Sequence, residues 1–82
     1  MSNSETSRPL DLLNEARNKR VMVFLKNGIE LVGILRAFDV HINCTLDDAE
    51  EFESGELKRK LGKVFVRGDT IKFIVASEQV KE

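Results

Sequence analysis

The pattern of hydrophobic and polar positions changes period once along this chain, near Asn18. Before it, Leu10, Leu13 and Ala16 or Arg17 recur at helical spacing. Pro9 suits a first helical turn and Asp11 favours the N-terminal end, so the spacing predicts one short helix over residues 9–18, with Asn18 as its stop. After Lys19-Arg20 the period becomes two. Val21, Val23 and Leu25 alternate with Met22, Phe24 and Lys26, which predicts a strand. Asn27-Gly28 predicts a type I′ hairpin turn, because both residues tolerate positive φ. The return strand runs from Ile29 to about Phe38, with Gly33 in its middle. A glycine inside a strand marks a sharp bend or a close approach of another backbone.

A tight connection is expected over residues 38–41. A third strand follows, with Ile42, Cys44 and Leu46 on one face and His41, Asn43 and Thr45 on the other. Residues 47–60 are polar and dense in charge, and contain Ser54-Gly55. They read either as a long hairpin loop or as two strand ends plus a turn. Val64-Phe65-Val66 and Ile71, Phe73, Val75 predict two more strands, separated by a turn at Arg67-Gly68-Asp69-Thr70. A helix and then five strands with short links predict an all-β fold, an antiparallel meander curling into a small barrel. The domain is expected over residues 9–77, between a flexible polar tail at residues 1–8 and a short C-terminal tail at residues 78–82.

The last two strands are apolar on both faces, with Val64-Phe65-Val66 and Phe73-Ile74-Val75-Ala76 as unbroken runs. Such strands at the edges of a sheet invite aggregation. Two arrangements protect them: each edge pairs with the complementary edge of another copy, head to tail, until a ring closes, or the barrel closes on itself. Periodicity leaves both open.

Composition narrows the function. A chain of 82 residues is one domain with a small core, for which oligomer formation is a common remedy. Charged residues make up 33%, yet the formal net charge is -1, so any nucleic-acid contact must come from a few placed groups and not from a basic coat. A single cysteine, Cys44, excludes a disulfide framework within the chain and fits a reducing compartment. No apolar run reaches the length of a membrane span, and the polar start is unlike a secretory signal. A soluble cytoplasmic protein is expected, or a nuclear one in a eukaryote. The run Asp47, Asp48, Glu50, Glu51, Glu53 fits no calcium loop and reads as a solvated face, with Lys58-Arg59-Lys60 as its salt-bridging partner. No metal and no cofactor are expected.

Two clusters carry candidate chemistry: Asp39-Val40-His41-Ile42-Asn43 and Arg67-Gly68-Asp69, each at a turn. A pyrimidine base needs flat or cationic groups on its faces and paired hydrogen-bonding groups at its edge. His41 and Arg67 can stack on opposite faces, while Asn43 offers a donor and an acceptor side by side, the match for the imide edge of uracil. Arg67-Gly68-Asp69 also spells an adhesion tripeptide, but three residues recur by chance and nothing else points to secretion.

These same residues carry a resemblance. Residues 20–51, with Gly33, the Asp39-Val40-His41-Ile42-Asn43 run and Leu46-Asp47-Asp48-Ala49-Glu50-Glu51, resemble the first motif of the Sm-like (LSm) family. Leu61-Gly62-Lys63-Val64-Phe65-Val66-Arg67-Gly68-Asp69-Thr70-Ile71 resembles the second. The second motif lacks the Lys-His pair typical of bacterial Hfq, so the resemblance is to the archaeal and eukaryotic branch. It implies a strongly bent five-stranded sheet of the Sm-like, SH3-like barrel type. It implies rings of six or seven copies, a heptamer favoured, in which the fourth strand of one copy pairs with the fifth of the next. It implies uridine pockets around the inner rim of the pore. By position it makes His41 and Arg67 the stacking residues, Asn43 the base reader, Gly68 the turn glycine, Asp69 a residue fixing the pocket, and Asp39 the brace of the first loop. Ile42 departs from a frequent Met, and Cys44-Thr45 from bulkier apolar residues.

The expected function is therefore a non-enzymatic ring subunit holding single-stranded, uridine-rich RNA, active in RNA processing or ribonucleoprotein assembly. The alternative is a protein-interaction scaffold, with residues 51–60 as contact surface and other proteins as partners. An enzyme is not expected, because no nucleophile with a base, no metal set and no carboxylate dyad is visible.

Overall fold

The computed structural model describes residues 9–76. The tails expected at residues 1–8 and 78–82, and Ser77 at the expected domain end, lie outside the described residues. Helix α1 spans Pro9–Ala16 and ends two residues before the predicted stop. Asn18 performs the stop in left-handed backbone, φ 69, a conformation that Asn tolerates at the end of a helix. Its N–H donates to the Leu35 carbonyl at 2.6 Å, tying the helix exit to the sheet.

The strands are β1 (Arg20–Leu25), β2 (Ile29–Phe38), β3 (Cys44–Glu53), β4 (Glu56–Val66) and β5 (Ile71–Ala76), with a 3-10 turn at Gly68–Thr70 before β5. They form one antiparallel sheet in the order β4-β3-β2-β1-β5. The meander holds only through β4. After the turn the chain crosses to the far side and β5 pairs with β1, Phe73 opposite Phe24 and Val75 opposite Met22. The Lys26 N–H donates to the Thr70 carbonyl at 2.8 Å and fixes the start of β5 beside the end of β1. The two apolar strands are therefore the two edges of the sheet.

Two local expectations need correction, and one pair of alternatives narrows to a single reading. The Asn27-Gly28 hairpin is not a type I′ turn. Of the pair only Gly28 has positive φ, 93°, and the Asn27 side chain instead accepts the Ile29 N–H at 3.0 Å. The third strand begins at Cys44 and not at Ile42, because Ile42 has φ 65 and leaves the extended region. Of the two readings of residues 47–60, the structure takes the second, two strand ends plus a turn. β3 and β4 continue through them to a turn at Ser54-Gly55, φ 53 and 81. Opposite charges face each other along this hairpin, Glu50 opposite Lys60 and Glu51 opposite Arg59, which makes pairing favourable despite the polarity.

Gly33 does bend the sheet. The β2–β3 register slips between Val32 and Ile34, and a Cβ at Gly33 would lie 3.0 Å from the Asp47 carbonyl oxygen. On the inner side of the bend Val21, Val23, Leu35, Leu46 and Cys44 are almost fully buried, and Leu13 and Ala16 of α1 close one end of this core. Burial pushes the Cys44 thiol up to about 11, so it is an inert core filler. No helix among the described residues is long and apolar enough to cross a membrane.

Candidate functional site

The loop between β2 and β3 is organised by one carboxylate. Asp39 Oδ1 accepts the N–H of His41 at 2.8 Å and of Asn43 at 3.1 Å, and Oδ2 accepts the Asn43 side-chain Nδ2 at 3.1 Å. The Ile42 N–H donates to the Asp39 carbonyl at 3.0 Å, and the Asp39 N–H to the Asn43 carbonyl at 3.1 Å. A β-branched residue with positive φ costs about 1–2 kcal/mol, and this network holds Ile42 there. The side-chain bond from Asn43 keeps the Asp39 carboxyl below its ordinary value; the backbone N–H groups of His41 and Asn43 and the nearby His41 act the same way, against some desolvation.

The second loop, residues 67–70, is organised by a carbonyl. The Arg67 carbonyl oxygen accepts the Thr70 hydroxyl at 2.7 Å and the Thr70 N–H at 3.1 Å. The Arg67 guanidinium pairs with Asp69 at 2.9 Å, both side chains well exposed. Thr70 shapes this turn and is a position that sequence reasoning did not single out. A threonine at the end of a turn, able to bond a carbonyl behind it, was the available signal.

One bond joins the loops. Asn43 Oδ1 accepts the Gly68 N–H at 2.7 Å, across 25 residues of sequence. The approach is so close that any side chain at Gly68 would overlap the His41 carbonyl oxygen. This requirement is one of space. The bond also fixes the Asn43 amide: its oxygen must face Gly68 and its nitrogen must face Asp39, so the plane cannot flip. One Nδ2–H and one lone pair of Oδ1 remain for a ligand. The amide therefore presents one donor and one acceptor, as the sequence suggested, but from a group already held at both ends.

Around this junction His41, Asn43, Arg67, Gly68 and Asp69 line one open pocket of about 420 Å³. All five expected contact residues meet there, brought together from two loops about 25 residues apart in sequence. Asp39 braces the pocket from behind, and Gly33 lies in the sheet bend outside it. Among the described residues no cluster of three His, Cys, Asp or Glu could hold a metal ion.

The model of the LSM domain family matches residues 11–76 of the chain. A protein of Methanococcoides burtonii described as snRNP Sm-like is 48% identical over 68 residues, covering 83% of this chain and 94% of that protein. One of Archaeoglobus fulgidus, described in the same terms, is 49% identical over 67 residues, covering 82% and 87%. Among solved structures, a Pyrococcus abyssi Sm protein in complex with a uridine heptamer superposes with a TM-score of 0.82 at 40% identity, over 84% of this chain and 97% of that one. A heptameric archaeal Sm protein superposes with a TM-score of 0.74 at 42% identity, over 79% and 94%.

Proposed function

The chain belongs to the LSM domain family, and from that premise we propose that it is a subunit of a ring that holds single-stranded, uridine-rich RNA, one base in each copy's pocket. His41 and Arg67 take the two faces of the base. Asn43 reads its edge with its remaining donor and acceptor. Gly68 lets the two loops meet, Asp69 steadies the Arg67 guanidinium, and Asp39 braces the first loop. The observation that carries this reading is the bond between Asn43 and Gly68, which supplies a fixed amide in the pocket that His41 and Arg67 also line, before any ligand arrives. A pre-ordered amide loses less freedom on binding and discriminates between bases by leaving the wrong one unpaired.

The ring rests on the two unpaired edges, β4 and β5, each carrying exposed Phe: Phe65 on one, Phe73 and Val75 on the other. Seven copies are favoured, as in the heptameric archaeal relative. Stacking contributes roughly 1–3 kcal/mol per base, and repetition around a ring raises the whole through effective concentration. The unit acts as one domain over residues 9–77 and works by binding. None of the five lining residues is a Ser, Thr, Cys or Lys nucleophile, and the pocket carboxylate is already paired to Arg67. Its place of action is the cytoplasm, in RNA processing or ribonucleoprotein assembly.

The test is fluorescence anisotropy with labelled homopolymers. The protein is expected to bind oligouridine at least about tenfold more tightly than oligocytidine, about 1.4 kcal/mol, and Asn43→Ala is expected to remove most of that preference. Equal affinity for both homopolymers would defeat the proposal.

A further inference from the structure

The peptide unit between Arg67 and Gly68 is held at both ends. Its N–H donates to Asn43 Oδ1 at 2.7 Å, the bond that joins the two pocket loops. Its carbonyl oxygen accepts the Thr70 hydroxyl at 2.7 Å and the Thr70 N–H at 3.1 Å. A peptide unit is planar and trans, so its C=O and N–H point opposite ways and tilt together. A carbonyl that accepts hydrogen bonds also makes the N–H of its own peptide a stronger donor, because bonds in a chain polarise one another. Thr70 in turn is anchored to the sheet: the Lys26 N–H, just past the end of β1, donates to its carbonyl at 2.8 Å.

Building on the uridine-pocket reading and deepening it, we propose that Thr70 is a positioning residue for that site: its hydroxyl, acting through the Arg67–Gly68 peptide, fixes the oxygen side of the Asn43 amide. Asp39 holds the other side, through Nδ2. The amide that reads the base is thus gripped by a carboxylate from its own loop and, one peptide removed, by a hydroxyl from the other. A threonine hydroxyl bonded to a carbonyl three residues back is an ordinary local bond and by itself shapes only a turn. Here the turn closes without it, since the Thr70 N–H bonds the Arg67 carbonyl and the Ile71 N–H bonds the Gly68 carbonyl. The hydroxyl adds a second bond to the one carbonyl whose peptide carries the Gly68 N–H.

Two substitutions in the full chain test this. Thr70→Val removes the hydroxyl, keeps the side-chain shape and leaves both backbone bonds. Thr70→Ser keeps the hydroxyl. Thr70 is exposed, so neither change opens a cavity in the core. In amide hydrogen exchange, Thr70→Val is expected to speed exchange at Gly68 several-fold and to leave Val21 and Val23, buried in β1, unchanged. In fluorescence anisotropy, its ratio of oligouridine to oligocytidine affinity is expected to fall about threefold or more, the scale of one hydrogen bond. Thr70→Ser is expected to match the wild type in both measurements. Unchanged exchange at Gly68 in Thr70→Val overturns the proposal, because the hydroxyl then clamps nothing. Faster exchange with the affinity ratio intact overturns it too, because the clamp then does not reach the base. An equal loss of affinity for both homopolymers assigns Thr70 to the turn alone and likewise overturns it. Each of these results leaves the uridine pocket standing. A wild type that binds both homopolymers equally removes the uridine reading itself, and this proposal with it.

Discussion

Two regions of this molecule are equally rich in polar and charged residues and behave in opposite ways. In the distal part of the β3–β4 hairpin, charges pair with each other: Arg59 with Glu51 across the strands at 3.1 Å and Lys58 with Glu56 along β4 at 3.5 Å. In the pocket, Asp39, Asn43 and Gly68 bond chiefly to backbone N–H groups and to each other, and they tie two loops 25 residues apart. A surface pair between long side chains holds no backbone in place. A carboxylate accepting two backbone N–H groups fixes the path of a loop. Polar density alone thus marks no site; what marks it is whether the polar atoms are committed to the main chain.

The strongest way to break the contrast is Gly68→Ala. The new methyl would overlap the His41 carbonyl oxygen, with the His41 and Ile42 carbonyl carbons 3.0 and 2.9 Å away, all of it backbone that cannot swing aside. Overpacking of this kind costs typically 1–3 kcal/mol and sometimes more, so we expect a loss of about 2–4 kcal/mol in denaturant unfolding, together with loss of oligouridine binding. A Gly68→Ala variant with unchanged midpoint and affinity would mean that the two loops are not in contact.

How much of this was legible beforehand follows the same division. The strands, the bend at Gly33 and the two turn clusters that line the pocket could be read from sequence, because each rests on a local signal: period two, a glycine inside a strand, flat and cationic residues at turns; Gly68 and Asp69 were given their roles by the family resemblance. The crossing of β5 to β1 could not, since pairing partners leave no local trace and the Lys26–Thr70 bond that sets it joins distant residues. The strand character of residues 47–60 stayed one of two readings, because half of each Glu–Lys or Glu–Arg pair looks like a loop until its partner lies opposite. Ile42 reads as a strand residue by type, and only the Asp39 network holds it at φ 65. The commitments of the Asn43 amide were invisible as well, for they depend on Gly68 arriving from the other end of the chain.

The next effect is graded and depends on pH. Asp39 has its carboxyl lowered by the Asn43 side chain and by the His41 and Asn43 N–H groups, so its ionised form is favoured in the folded loop. A depressed carboxyl contributes order that is fully present above the ordinary value of 3.8 and is lost as pH falls through the lower folded value. The backbone amide signals of His41 and Asn43 should therefore move together in an NMR titration, with a shared midpoint below 3.8. A shared midpoint above the ordinary aspartate value would contradict the bracing role.

The smallest expected effect tests the other region. Lys58 and Glu56 stand two residues apart on the free-edge strand, with 44% and 75% of their side chains exposed, joined by a long contact in full solvent screening. A pair of this kind contributes about 0–1 kcal/mol, most often near the bottom of that range, because holding two flexible side chains offsets the Coulomb gain. Lys58→Ala should therefore shift unfolding stability by less than about 0.5 kcal/mol, and leave the preference for oligouridine over oligocytidine where it was. The removed charge lies far along β4 from Arg67, so any change in affinity should be equal for the two homopolymers and should shrink as salt is added. A change in base preference, by contrast, would give the charged hairpin a part in recognition and erase the distinction drawn between the two polar regions.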